Sequence, residues 1–268
     1  MLVVLFCAYV PSVWAQTSGV DELIIKSGIQ RQVEQVPEVI KAQFEERFRQ
    51  DQKMSAADRA NLRNAAQESF DPTLMLKTVK AGISEGLTEQ DISAILSWLN
   101  SPLGMKITKL EEEASSGEAY RAMVKFAQDM PEPQQNRLAL IERMDNSAQL
   151  TEYTVQIKMD VALTMSEAIA CATECNNFSR EEVLKQLERV RPQIEQTSRQ
   201  ETAIHVLYSY QTLTDQELEE YIKFYETKVG QKYMKVFTTA LSRAIKDASK
   251  TMGEKMGQAL KAKKESAQ

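Results

Sequence analysis

Two stretches of this chain repeat each other at a fixed spacing, which limits the available folds more than any other feature. Residues 87–110 read LTEQDISAILSWLNSPLGMKITKL, and residues 213–236 read LTDQELEEYIKFYETKVGQKYMKV, aligned without a gap at an offset of 126. Leu87/Leu213, Thr88/Thr214, Gln90/Gln216, Gly104/Gly230, Lys106/Lys232 and Lys109/Lys235 are identical. Trp98/Phe224, Glu89/Asp215, Ser101/Thr227 and Leu103/Val229 are similar. A chain of this kind is expected to hold two copies of one supersecondary unit.

Each copy carries the same helix signals. Thr88 and Thr214 are predicted N-caps, with Asp91 and Glu217 three residues on in capping-box position. Ile92, Ile95, Leu96 and Leu99 recur at helical spacing, as do Leu218, Tyr221, Ile222 and Tyr225. Ser101-Pro102 predicts a second cap with Pro at the first helical position, and Thr227 repeats the cap without the Pro. Each copy is therefore read as a short amphipathic helix, a tight break and a longer helix. Gly104 and Gly230 fall in the first turn of that longer helix. Glycine there costs about 1 kcal/mol relative to Ala. Its presence in both copies points to close approach of a neighbouring backbone, or of Trp98 and Phe224. The competing reading is an anion site, formed by free amides at the helix start with Lys106 or Lys232 beside them.

Upstream, long first helices are expected over roughly 20–48 and 147–175, the former bent by Pro37. Ser55 with Asp58, and Ser179 with Glu182, form matching capping signals; Asp71-Pro72 and Ser198 with Glu201 start the next helices. No stretch alternates long enough for a strand. The expectation is an all-α tandem duplicated bundle, with helical unit one at 16–145 and unit two at 146–268. Whether the units merge into one bundle or form two domains stays open. Pro131-Glu132-Pro133 and Asn146 bracket the join.

The segments Trp98-Leu99-Asn100-Ser101-Pro102-Leu103-Gly104-Met105-Lys106 and Phe224-Tyr225-Glu226-Thr227-Lys228-Val229-Gly230-Gln231-Lys232 each follow a Leu-Thr helix start. This pattern resembles the bacterial domain-of-unknown-function family numbered 2059. The first segment departs at Leu99, where the family prefers Tyr, and the second at Lys228, which replaces Pro. The resemblance implies a helical, exported bacterial protein in two tandem copies, and it implies no activity.

Chemistry is sparse. With 33 basic against 38 acidic residues the net charge is −5, which gives no support for general nucleic-acid binding. One His and three Cys rule out most zinc and haem sites. There is no Gly-rich phosphate loop, no His-Glu-x-x-His and no Gly-x-Ser-x-Gly. His205 matches Val79 at the repeat offset, so it is read as a core or boundary residue. Glu111-Glu112-Glu113 and Glu219-Glu220 are read as solvated helix faces, and neither run is kept in the other copy. No cofactor, metal or catalytic residue is expected.

The N-terminus points outward. Leu2 to Val10 form an apolar run of signal-peptide length, Pro11 breaks it, and Val13-Trp14-Ala15 supplies small residues for cleavage before Gln16. The run is too short for a membrane span. No Lys or Arg precedes it, so the true start can lie upstream. A periplasmic or secreted protein is expected, with residues 1–15 removed. Cys7 then leaves, and Cys171 and Cys175 remain four apart on one helix face. Helical i,i+4 Cα atoms lie about 6 Å apart, within disulfide range. The pair is a local staple or two core thiols.

The last segment stands apart. Between 246 and 268, six Lys accompany an apolar stripe that runs from Phe237 through Leu241, Ile245, Ala248, Met252 and Met256 to Leu260. Either this helix packs on unit two, or it lies on an anionic membrane or cell-wall surface. The reading that results is a non-enzymatic envelope protein binding an unknown protein or apolar ligand. The alternative is a membrane- or cell-wall-associated factor acting through the basic tail. A third is an enzyme using carboxylates alone, such as a glycan-cleaving protein.

Overall fold

Local side-chain caps place most helix starts. The computed structural model describes residues 13–50, 54–131, 133–173 and 178–265. Among these residues there are twelve helices and no strand. The first seven are α1 (Val13–Lys26), α2 (Ile29–Gln50), α3 (Ala56–Ser69), α4 (Pro72–Gly86), α5 (Glu89–Leu99), α6 (Pro102–Ala114) and α7 (Gly117–Asp129). The remaining five are α8 (Gln135–Ala148), α9 (Leu150–Ala172), α10 (Arg180–Ser209), α11 (Asp215–Glu226) and α12 (Lys228–Glu265). None of these helices is long and apolar enough to cross a membrane. The apolar run Leu2–Val10 lies outside the described residues, and Val13–Ala15 opens α1.

The capping residues do what their spacing predicts. The Ser55 and Ser179 hydroxyls accept from the amides of Asp58 and Glu182 at 3.1 and 3.3 Å. The Asp71 carboxylate accepts from Thr73 and Leu74 ahead of Pro72. Pro37 sits inside α2.

Three expected boundaries are corrected. The first long helix is broken at Gly28, whose φ of +71° lets the chain turn left-handed between α1 and α2. Its counterpart is broken at Gln149, with φ of +55°. There the buried Asp145 carboxylate takes the place of a local cap, accepting from the Thr151 amide at 2.7 Å and hydroxyl at 2.6 Å. Ser198 starts no helix. It is buried in the middle of α10, where its hydroxyl accepts from Lys158 Nζ at 3.0 Å while Glu201 pairs with the same ammonium.

Ser115-Ser116-Gly117 splits α6 from α7, with the Ser116 hydroxyl capping α7. Leu241-Ser242-Arg243, 126 positions on, lies inside α12, which runs unbroken for 38 residues.

α12 is the spine. It lies along α9, α4 and α3, and glycines bring the backbones together. A Cβ on Gly253 or Gly257 would sit 2.7 Å from Ala168 Cβ or 2.5 Å from Ala172 Cβ of α9. A Cβ on Gly82 of α4 would meet Ala240 of α12 at 2.6 Å. One contiguous apolar core joins Leu23, Ile83, Ile95 and Ile107 to Leu218, Ile222, Met234 and Met252. One core thus runs through the earlier and the later helices alike.

Candidate functional site

The two helix corners, α5–α6 and α11–α12, have the same local build. Thr88 and Thr214 complete full capping boxes with Asp91 and Glu217. The Ser101 and Thr227 hydroxyls each accept from a glycine amide, Gly104 and Gly230, at 3.0 Å. Both glycines sit against the end of the preceding helix. A Cβ on Gly104 would lie 2.3 Å from the Trp98 carbonyl oxygen, and one on Gly230 would lie 2.0 Å from that of Phe224. Close backbone approach is thus the reason for glycine, as the first of the two sequence readings expects.

The corners face each other. The Trp98 ring stacks on Phe224 with centroids 4.3 Å apart and planes within 15°, and on Tyr221 at 5.2 Å. Lys106 Nζ donates to Glu217 Oε1 at 2.6 Å, and Lys232 Nζ donates to Asp91 Oδ2 at 2.5 Å. Each lysine thus reaches the capping carboxylate of the other corner. The bonds from Lys232 and Thr88 hold the Asp91 carboxyl at about 2, and those from Lys106 and Thr214 do the same for Glu217. Both lysines are committed to these carboxylates, which leaves the anion-site reading without its cation.

Beside the stack lies a polar cluster that sequence reasoning missed. Glu111 of α6 turns inward, and its Oε1 accepts from the Tyr210 hydroxyl at 2.6 Å and the Tyr221 hydroxyl at 2.5 Å. The Tyr221 and Tyr225 hydroxyls are also bonded to each other. Burial raises the Glu111 carboxyl, opposed by the two phenol bonds. Burial also lifts Tyr210, Tyr221 and Tyr225 well above the usual phenol value, so all three stay protonated as donors. The expectation of a solvated Glu111–Glu113 face is therefore corrected at Glu111. Glu113 is exposed, Glu112 is half-buried near Arg31, and Glu220 is exposed as expected.

Arg137 of α8 fastens this region. Its guanidinium donates to the carbonyls of Tyr210 at 2.6 Å and Leu213 at 3.1 Å, and to Asp215 at 3.0 Å. These carbonyls belong to the turn between α10 and α11, which positions Tyr210 over Glu111.

His205 corrects another expectation. Its counterpart Val79 is fully buried, but His205 is exposed on α10. The mass of protein around its ring still depresses the imidazole pKa by desolvation. No hydroxyl or thiol nucleophile is hydrogen-bonded to it among the described contacts. Cys171 is exposed in the last turn of α9, so it is no core thiol; Cys175 lies outside the described residues.

Part of the basic tail packs on the bundle. Ala248 and Met252 are buried against the bundle, Lys255 pairs with Glu68 at 2.5 Å, and Lys263 pairs with Asp58 at 3.0 Å. An apolar stripe packed this way faces no bilayer unless α12 leaves the bundle. Two surface depressions occur elsewhere, both open to solvent. One of about 450 Å³ runs past Glu142, Arg143 and Glu226, and one of about 430 Å³ past Glu89, Ile92 and Leu96. The polar side of the first is already paired, with Arg143 held bidentately by Glu226. Where the corners meet, the space is filled by rings.

No curated protein and no solved structure matches the chain. Residues 208–262, which take in the end of α10, all of α11 and most of α12, match the model of the family described as "Uncharacterized protein conserved in bacteria (DUF2059)", so the second helix corner is similar to that family.

Proposed function

We propose that this chain is a non-enzymatic binding or scaffold protein of the bacterial envelope, exported by its N-terminal segment and built from two copies of one helical unit. The observation that carries the reading is the filled contact between the corners. Trp98, Phe224 and Tyr221 occupy the space where a duplicated ligand-binding shell would leave a cavity. The surface is then what remains for function.

The helix order supports the duplication. α1 packs on α5 as α8 packs on α11, and α2 packs on α7 as α9 packs on the second half of α12. One left-handed residue, Gly28 or Gln149, separates the first two helices of each half. Grouping α8 with the second unit by these contacts favours a join at the Pro131-Glu132-Pro133 side of the bracket over the Asn146 side. The family match at 208–262 supports a bacterial source for the second copy, and the first copy rests on the offset alone.

Osmotic-shock fractionation followed by mass spectrometry of the recovered protein tests the export reading. The expected result is release with the periplasmic fraction and a mature N-terminus at Gln16. Retention in the cytoplasm with residues 1–15 intact overturns it.

A further inference from the structure

α12 divides its circumference between the core and a basic ridge. The helix holds ten Lys and Arg against three Asp and Glu, a net +7 in a chain whose total is −5. The remaining residues together carry −12, so positive charge is concentrated on this one element. At helical spacing, Lys228, Lys232, Lys235, Arg243, Lys246 and Lys250 fall within about 100° of arc. Between residues 228 and 250 the same arc holds only Thr239 and Ser242 besides them, and no acidic residue. None of these eight residues is buried. The helix is unbroken here, so the row runs straight for about 33 Å. Beyond Lys250 the arc turns under α9, where Gly253 and Gly257 pack. Lys255 and Lys263 lie outside it, paired with α3.

The cations of the ridge differ in what holds them. Lys232 is committed to Asp91 of α5. Arg243 leans to Glu85 of α4 at 3.5 Å and Lys250 to Glu254 at 3.9 Å, yet they stay 54% and 66% exposed. Such exposed pairs are weak and yield to a competing anion. Lys228, Lys235 and Lys246 have no carboxylate partner among the described residues. They follow one another at 7 and 11 residues, almost on one line along the helix. Lys228 with Lys232, Lys232 with Lys235, Arg243 with Lys246 and Lys246 with Lys250 set like charges three or four residues apart, which disfavours a helix slightly at each pair. Within the fold nothing offsets this at Lys228, Lys235 and Lys246. An anion laid along the row does.

We propose that this ridge is the docking surface for an anionic polysaccharide of the envelope; the inference deepens the envelope-binding reading above and rests on it. Charge spacing selects the occupant. With Lys232 set aside, five cations span about 33 Å and stand about 8 Å apart. Phosphates along a nucleic-acid strand follow each other at about 3.4 Å, more than twice as densely. A glycan with no more than one carboxylate per sugar ring carries charge at the lower density. Its hydroxyls meet those of Thr239 and Ser242 between the cations. A bilayer fits less well, because a flat anionic sheet also meets the exposed carboxylates of Glu85 and Asp247 beside the ridge.

The test follows binding of fluorescently labelled oligogalacturonate, a linear chain with one carboxylate per ring, to the mature chain by fluorescence anisotropy at low salt. The parent is expected to bind. The Lys228→Gln, Lys235→Gln, Lys246→Gln variant is expected to bind about tenfold more weakly, with unchanged helix content by circular dichroism. A control carrying Lys26→Gln, Lys125→Gln and Lys185→Gln removes the same charge from α1, α7 and α10 and is expected to bind within about twofold of the parent. No binding by the parent, or equal losses in the two variants, overturns the inference. Single-stranded DNA of equal charge number that binds the ridge as tightly as the glycan also overturns it. None of these outcomes touches the export reading, which fractionation tests on its own.

Discussion

Trp98 stacks face to face on Phe224, the residue 126 positions further along the chain, with ring centroids 4.3 Å apart. Aromatic pairs of this kind contribute about 0.5–1.5 kcal/mol beyond their buried area. The greater consequence is geometric. The ion pairs on either side are reciprocal, Lys106 to Glu217 and Lys232 to Asp91. The two most similar stretches of the sequence are therefore also the two that hold each other.

Gly230→Ala tests how closely each corner is closed. Alanine is the better helix former by about 1 kcal/mol. A Cβ at 2.0 Å from the Phe224 carbonyl oxygen cannot be accommodated without moving backbone. Overpacking of this kind costs about 3 kcal/mol, so a net loss of about 2 kcal/mol is expected in urea unfolding. Gly104→Ala, at 2.3 Å from the Trp98 carbonyl, should behave alike. A gain in stability at either position would remove close approach as the reason for glycine.

Asp91 and Glu217 are expected to contribute to acid sensitivity. Their carboxyls are lowered from 3.8 and 4.5 to about 2 by Lys232 and Lys106 respectively and by the capping bonds. A depressed carboxyl stabilises the fold above its unfolded-state value, and that stabilisation is lost as pH falls through the folded one. Unfolding midpoints should therefore drop between about pH 4.5 and 2, and the drop should flatten in the Asp91→Asn, Glu217→Gln double variant. An unchanged slope in that variant would assign acid sensitivity elsewhere.

Much of this site was legible in sequence, because a cap is a bond between a side chain and an amide three residues away. Thr88 with Asp91, Thr214 with Glu217 and Ser101 with Gly104 need no tertiary knowledge. The similarity of the second corner to the matched family was legible as well, from Phe224 to Lys232. What was not legible depends on partners far along the chain. Glu111 reads as one of three exposed glutamates until Tyr210 and Tyr221, about a hundred residues on, turn it inward. Ser198 reads as a cap until Lys158 claims its hydroxyl. His205 misled through its offset from Val79: Val79 is buried in the core on α4, while His205 is exposed on α10, a helix of 30 residues with different neighbours.

Glu111 should give the opposite pH dependence. Its carboxyl is raised by burial, so the unfolded chain ionises first while the folded one stays protonated, and stability falls as pH rises above the ordinary 4.5 toward the folded-state value. Glu111→Gln keeps an acceptor for both phenols without the charge. The variant should match the parent below that pH and exceed it increasingly as pH rises toward Glu111's own value. Thermal unfolding across the range reads this directly, and a variant that is less stable at neutral pH than in acid, relative to the parent, would contradict it.

Arg137 is expected to matter although no motif marks it. Its guanidinium serves two carbonyls, Tyr210 and Leu213, from a side chain only 14% exposed. Hydrogen bonds to a charged donor contribute about 1.5–3 kcal/mol, and an orphaned carbonyl adds to the loss. Arg137→Ala should lower stability by about 2–3 kcal/mol and disturb near-ultraviolet tyrosine dichroism, since the Tyr210 turn holds a ring over Glu111. Arg137→Lys should recover little, because one ammonium cannot reach both carbonyls with the same fork.

The basic tail makes the last separation. Lys255 and Lys263 face Glu68 and Asp58 of α3, and such exposed pairs contribute about 0–1 kcal/mol each. Removing residues 261–268 should then leave the unfolding midpoint almost unchanged. Removing 246–268 takes away Ala248, Ser249, Met252 and Gly253, all buried, and should destabilise the bundle strongly. Sedimentation with vesicles rich in phosphatidylglycerol distinguishes a packed tail from a membrane-seeking one. A packed tail predicts no binding by the parent chain and none by the chain ending at residue 260. Binding by the parent that disappears with residues 261–268 would restore the membrane-associated reading, since those residues hold three lysines and only one acidic residue.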